Sequence, residues 1–338
     1  ERLGLDQLRE TTPIAVLDEL HKFPQWKQFL KGFFDTYADE VRTIVTGSGH
    51  MDVFRRGGDS LMGRYFLYRM HPFSIGEVAC RDLPNPETIV RPPRAIPDED
   101  FDALWRHGGY PEPFLKRDPQ FSLRWQSLRH EQIVREDIRD LTQITQLDQI
   151  EAAVRLLANR SSHRLVYSNL AKEIRVSVDT AKRWVIALRD LHFGFEVRPW
   201  FKNVARSLRK EPKWYLRDWA SIDDPGDRAE TFVACHLLKA VQGWTDMGLG
   251  QFELAYLRDK EQREVDLLVV RDGAPWFLVE VKHRDESLSK SLRNFQEQIK
   301  APFAFQVVLD APFVDADCFA KPREPLAVPA RTFLSQLL

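Results

Sequence analysis

The sequence predicts a multi-domain α/β protein with a helical centre. Strand-like and helix-like patterns alternate at both ends of the chain, the segment between them is mostly helical, and its basic residues concentrate in one stretch. The 338 residues suffice for two or three domains with their own cores. With 43% hydrophobic and 29% charged residues the composition is that of an ordinary globular protein. No apolar run reaches the ~18 residues that a membrane span needs. The first residues, Glu1-Arg2-Leu3-Gly4, show no basic-then-apolar leader, so a cytoplasmic location without membrane attachment is expected. Cys80, Cys235 and Cys318 lie far apart without zinc spacing and read as free, mostly buried thiols of a reducing compartment.

Ile14-Ala15-Val16-Leu17 reads as a buried strand that presents Asp18 and Glu19 at its C-terminal end. A strand delivering two acids can hold Mg²⁺ with the first and polarise a water with the second. A core strand running into an acidic helix start gives the same pattern. A helix follows to about Asp39, then a second strand, Val41 to Thr46, that ends in Gly47-Ser48-Gly49. Gly63-Arg64 precedes a strand-like stretch, Tyr65 to Met70, and then His71-Pro72-Phe73-Ser74-Ile75-Gly76-Glu77.

The ordered matches LDELHK, VTGSG and GRYFLYRMHPFSIGE resemble a family of prokaryotic AAA-type P-loop ATPases over roughly residues 13 to 78. The resemblance implies a magnesium role for Asp18, a water-activating role for Glu19, a nucleotide-sensing role for Ser48 and a phosphate-contacting or finger role for Arg64. It also implies ATP and Mg²⁺ as cofactors and a homo-oligomer in which Arg64 acts on a neighbouring subunit. No GxxxxGK[ST] loop occurs in the sequence. It is expected upstream of residue 1; a decayed, non-hydrolysing ATPase is the alternative.

Residues 84–100 are rich in proline and acid without periodicity and read as a loop or linker. Residues 129–158 read as one or two amphipathic helices. From Arg160 to Arg217 there are 14 Lys/Arg against five Asp/Glu, in a chain whose net charge is −1. Such a segment suits phosphate contacts or is simply a solvated basic surface. Within it, Ser168 to Ile174 and Ser177 to Leu188 read as two helices packed across a short turn, the first capped by Ser168. A strand from Gly194, a basic stretch and a returning strand at Trp214-Tyr215-Leu216 complete a pattern that resembles a winged helix-turn-helix. On that reading Lys182 and Arg183 on the second helix, with Lys202, Arg206, Arg209 and Lys210 on the wing, contact DNA phosphates. A winged helix that docks protein is the other use of the same pattern.

From Glu230 onward the order is helix, three strands, helix, strand. Asp266 lies in the strand-like run from Arg263 to Val270, Asp272-Gly273 marks a hairpin turn, and Glu280 and Lys282 share one face of the next strand. This Asp…Glu-x-Lys set resembles the PD-(D/E)XK nucleases, with Glu230 as a further acid on the preceding helix. The resemblance implies Mg²⁺ held by Asp266, Glu280 and Glu230, and Lys282 orienting water or stabilising developing charge. Gln296 or Gln298 would be the glutamine such domains carry on the next helix. The stretch also resembles a C-terminal domain of unknown function attached to the same AAA-type family.

The expected layout is therefore a partial AAA/RecA-like domain (1–78), a linker and helical lid (79–130), a winged helix (131–219) and a restriction-endonuclease-like domain (220–338). An ATPase coupled to a DNA nuclease is the leading function. An ATP-dependent DNA-binding or regulatory switch on a non-catalytic nuclease-like scaffold is the alternative, and an assembly protein is a third class.

Overall fold

The computed structural model describes residues 12–20, 23–47, 61, 63–80, 82–133, 147–201, 210–284, 287–321 and 324–338. The chain divides into two compact units, Glu1–Leu67 with Asp190–His192, and Tyr68–Arg189 with Phe193–Leu338.

In the smaller unit β1 (Ile14–Leu17) runs parallel to β2 (Arg42–Val45), with α1 (Trp26–Tyr37) between them in sequence. The acid-bearing strand and its neighbour are thus paired as the sequence suggests. The expectation that β1 is buried is corrected: Ile14 and Val16 are each 60% exposed. A parallel strand is buried only when helices cover both faces of its sheet, and α1 has no buried residue among those described. The strand expected at Tyr65 to Met70 is also absent. Those residues have no ladder partner, and the Arg69 backbone N–H donates to the Asp246 carboxylate (3.1 Å) rather than to a strand.

The larger unit opens with α2 (Ile75–Ala79), α3 (Asp98–His107), α4 (Pro111–Lys116) and α5 (Pro119–Gln132). Capping explains the starts of α2 and α5: the side chains of Ser74 and Asp118 accept from backbone N–H groups of the first turns. Then come α6 (Leu147–Ala158), α7 (Tyr167–Glu173), α8 (Val178–Asp190), β3 (Gly194–Pro199) and β4 (Lys213–Leu216). Ser177 caps α8 through the Thr180 N–H (3.1 Å). Ser168 does not cap α7, which begins one residue earlier, at Tyr167. Helix α9 (Pro225–Asp246) leads to β5 (Phe252–Arg258), β6 (Glu264–Arg271) and β7 (Ala274–Lys282), followed by α10 (Lys290–Ile299), β8 (Phe303–Val308), β9 (Leu326–Pro329) and α11 (Ala330–Ser335).

Among the described residues seven strands form one mixed sheet, in the order β4-β3-β5-β6-β7-β8-β9. The β3–β4 pair therefore extends the sheet of the C-terminal strands. Gly194 allows this: a Cβ there would lie 2.3 Å from the Trp214 ring and 2.6 Å from the Tyr215 carbonyl oxygen. The turn between β6 and β7 falls at Asp272 (φ 51°) and Gly273 (φ 80°), two left-handed residues as a tight hairpin requires.

Helix α9 carries the core across this sheet. Ala229, Phe232, Val233, Leu237, Ala240, Val241 and Trp244 are all 2% exposed or less and recur at helical spacing. The Trp219 ring stacks edge-on against Phe232, with centroids 5.1 Å apart, and its Nε1 donates to the Leu104 carbonyl (2.7 Å). Cys80, Cys235 and Cys318 are buried and form no disulfide with one another.

Residues 84–97 form a loop that is pinned rather than loose. The buried Arg91 guanidinium donates to the carbonyls of Asp82 (2.9 Å), Cys80 (3.3 Å) and Leu337. The Arg91 N–H donates to Gln336, whose amide donates back to the Arg91 carbonyl (3.1 Å). Ser74 Oγ donates to the Leu338 carbonyl (3.0 Å). The last residues of the chain are thus stitched to the start of the larger unit.

Candidate functional site

A concentration of buried charge lies where α9, β4, β6 and β7 meet. Asp224 caps α9 through Gly226 and Asp227 N–H groups (2.8 and 2.9 Å), and Pro225 sits in the first turn, which fixes where Glu230 emerges. Strand β6 puts Glu264 and Asp266 on one face, since alternate residues share a face. Strands β6 and β7 are antiparallel with Leu267 opposite Val279, so Asp266 and Glu280 are neighbours across the pair. The Val281 N–H donates to Asp266 Oδ2 (2.9 Å), and Lys282 Nζ donates to Glu280 Oε1 (3.0 Å).

The structure thus brings together Glu230, Asp266, Glu280 and Lys282, and adds two groups that the sequence reading passed over, Lys213 and Glu264. Lys213 of β4 is 3% exposed. Its ammonium donates to Glu230 Oε1 (2.9 Å), pairs directly with Glu264 Oε1 and lies 3.6 Å from Asp266 Oδ1. The Tyr215 hydroxyl also donates to Glu230 Oε1 (2.7 Å), and Arg258 pairs with Glu264 Oε2. Glu280 Oε2 is buried and has no hydrogen-bond partner among the described residues.

This crowding moves the titrations. Burial first, and the Asp266 charge second, push Glu230 up to about 8 and Glu280 up to about 7. Burial pulls on the Lys213 ammonium in the other direction, but Glu230, Asp266 and Glu264 outweigh it and raise the lysine above its usual value. Glu264 is held low: burial opposes its charge, and the attraction of Lys213 and Arg258 prevails.

As a donor set, Asp266 and Glu280 suit a hard divalent cation, which takes carboxylate oxygens, and the unpartnered Glu280 oxygen leaves one acceptor to spare. Among the described residues no three His, Cys, Asp or Glu side chains converge to enclose a metal ion. The acids converge on Lys213 instead. Gln296 turns away and donates to the Ala301 carbonyl (3.2 Å), and Gln298 is exposed. The glutamine beside the acids is Gln306, which pairs with Glu280 in the β7–β8 register and is fully buried.

In the smaller unit Asp18 follows β1 and accepts from the Thr46 hydroxyl at the end of β2. Glu19 sits in a turn with φ 48°. Arg64 is ion-paired with Asp35 (2.9 Å). Ser48 lies outside the described residues.

Lys182 and Arg183 lie on the exposed face of α8, opposite the buried Ala181, Trp184, Val185 and Leu188. The Lys182 ammonium sits 5.9 Å from the centre of the Tyr167 ring, and Arg183 donates to Thr180 Oγ1 (3.3 Å). Lys210 is exposed; Lys202, Arg206 and Arg209 lie outside the described residues.

Two signals could have revealed the missing partners. Lys213 opens the run Lys-Trp-Tyr-Leu, whose other members are apolar or aromatic, and a cation inside a buried strand needs anions nearby. Glu264 precedes Asp266 by two, so it had to share that acid's face.

Comparison with known proteins gives the class first. The AAA domain family matches residues 1–79. Two families described as domains of unknown function match residues 98–221 (DUF8612) and 225–311 (DUF4143). Together these matches support an AAA-type ATPase carrying a C-terminal domain of unknown function, and AAA domains in general bind nucleotide with Mg²⁺. Among individual proteins, uncharacterized proteins of Mycobacterium tuberculosis and Mycobacterium bovis are each 23% identical over 288 residues. The alignment covers 83% of this chain but 61% of either relative. No solved structure matches the chain. Among the described residues no helix is long and apolar enough to cross a membrane.

Proposed function

We propose that this protein is an ATP-driven AAA-type protein that acts on DNA through a metal-dependent, nuclease-like site in its larger unit. The observation that carries the reading is the meeting of Glu230, Asp266, Glu280 and Lys282 from one helix and two adjacent strands. When bound between Asp266 and Glu280, Mg²⁺ would polarise a scissile phosphate and ready a water for attack. Asp266 is oriented for that task by the Val281 N–H, and Glu280 by Lys282. The Lys282 side chain is one-third exposed, so it can reach an incoming phosphate. The exposed cations of α8 and Lys210 supply backbone attraction that is independent of base sequence. In the smaller unit Asp18 and Glu19 take the magnesium and water roles, Ser48 the sensing role and Arg64 the finger role, acting across a homo-oligomer.

The test is DNA cleavage on linear, supercoiled and single-stranded substrates with Mg²⁺ or Mn²⁺, with and without ATP, beside Asp266→Ala. Metal-dependent cutting that the substitution abolishes is expected. A second reading, an ATP-dependent DNA-binding switch on a non-catalytic scaffold, is favoured by the Lys213 ammonium that neutralises the acids. DNA binding and ATP hydrolysis without any cutting would select it.

A further inference from the structure

The acids of the larger unit are arranged around a cation that the chain itself supplies. Each holds one oxygen on a protein donor and turns toward Lys213. Glu264 has Oε2 on Arg258 and Oε1 on the lysine. Asp266 has Oδ2 on the Val281 N–H and Oδ1 toward the lysine. Glu230 receives the ammonium and the Tyr215 hydroxyl on the same oxygen. Carboxylates oriented in this way present oxygens to a centre of positive charge, the chemistry that a hard divalent cation also uses, although around the ammonium no three of them enclose a metal ion.

The ammonium does not use everything that is offered. It has three protons to donate, and it meets Glu230, Glu264 and Asp266. Glu280, 8% exposed and adjacent to Asp266, keeps Oε2 buried without a hydrogen-bond partner among the described residues. A group that takes six or more oxygens at about 2.1–2.5 Å would engage that atom as well. The acid set is therefore larger than one lysine satisfies.

We infer that Lys213 is the resident cation of this carboxylate cluster, and that a divalent metal ion enters only in exchange for its ammonium group. The inference rests on the reading that these acids can ligate a cation, but not on DNA being cut. Lys213 lies on β4, three residues after Lys210 of the basic stretch, so the strand that guards the acids continues directly from the segment assigned to DNA. The site would hold no metal while the ammonium occupies it, and would take one when the Lys213 side chain leaves the acids.

Mn²⁺ titration of the 338-residue chain, with free Mn²⁺ read by electron paramagnetic resonance, tests the exchange. Lys213→Met should take up one Mn²⁺ per chain at concentrations at least tenfold lower than the wild type, and Lys213→Met with Asp266→Asn should lose that uptake. Equal uptake by wild type and Lys213→Met overturns the inference, as does no uptake by a folded Lys213→Met. If Lys213→Met is unfolded without metal, circular dichroism with added Mn²⁺ decides: recovery of the fold supports exchange, and a chain that stays unfolded overturns it. Loss of DNA cleavage in the wild type, with tight Mn²⁺ uptake by Lys213→Met, would remove the nuclease reading and leave the exchange standing.

Discussion

The acids at the end of β1 and those where β6 meets β7 sit in opposite surroundings. Asp18, at the end of β1, is exposed, with its carboxylate bonded to the Thr46 hydroxyl. Asp266 and Glu280 sit in the interior of a seven-stranded sheet, beside a lysine that is 3% exposed. Water stabilises an exposed carboxylate at no structural cost, whereas an interior one needs a partner cation or a proton. The larger unit uses both remedies: Lys213 and Lys282 pair with the acids, and Glu230 and Glu280 titrate above their usual range. An acid at a strand end can thus rest in solvent, while a buried set must recruit charges from distant elements.

Removing the interior cation should break this contrast most sharply. In metal-free buffer Lys213→Met leaves three acids without their shared partner, and such losses cost about 3–5 kcal/mol. Urea denaturation at neutral pH should show that drop; a change under about 1 kcal/mol would mean that the cluster is not held by the lysine.

The pH dependence comes next. Glu230, with its pKa raised to about 8 from the usual 4.5, keeps a proton in the folded chain that the unfolded chain has released. The native state therefore binds more protons between those values, and its stability falls as pH rises through that window. The contribution is complete below pH 4.5 and gone above about 8. Glu280, raised to about 7, acts with the same sign. Urea midpoints at pH 5.5, 7 and 8.5 should decline less steeply for Glu230→Gln than for wild type. Parallel slopes would remove Glu230 as the proton holder.

Smaller effects belong to the other unit. The Arg64–Asp35 pair has side chains 29% and 48% exposed, so Arg64→Ala should cost less than about 1 kcal/mol of stability. In protein that hydrolyses ATP the same change should abolish turnover and leave nucleotide binding intact. Unchanged turnover would remove Arg64 from the mechanism. Ile14→Thr, at a position 60% exposed, should stay within about 0.5 kcal/mol of wild type in thermal melts.

Alternation carried most of what was legible in the sequence. The spacing of Glu280 and Lys282, the Asp272-Gly273 turn and the helix bearing Glu230 follow from periods of 2 and 3.6, and the sheet and α9 realise them. The pairing of β1 with β2 was legible instead from the resemblance, in which an acid-bearing strand, a helix and a second strand follow in order. Lys213 was not, because its role depends on partners 17, 51 and 53 residues away, which only the strand order brings to it. The Tyr65 to Met70 stretch looked like a strand by composition. Its backbone instead meets Asp246, a partner that no local pattern announces. The burial of β1 was misjudged because an apolar strand implies covering helices only if they exist beside it.

The stitch between Arg91 and Ser74 and residues 336–338 has a consequence for how the protein is made. Arg91 leaves the ribosome some 245 residues before the carbonyl and amide groups that satisfy it. Part of the bonding of Ser74 and Arg91 therefore waits, like one half of a clasp, until residues 336–338 are synthesised. Contacts of such sequence separation slow folding and lengthen the time that apolar surface stays uncovered. A nascent chain stalled a few residues short of Leu338 would leave Ile75, α2 and the Arg91 loop open to chaperones or to neighbouring chains.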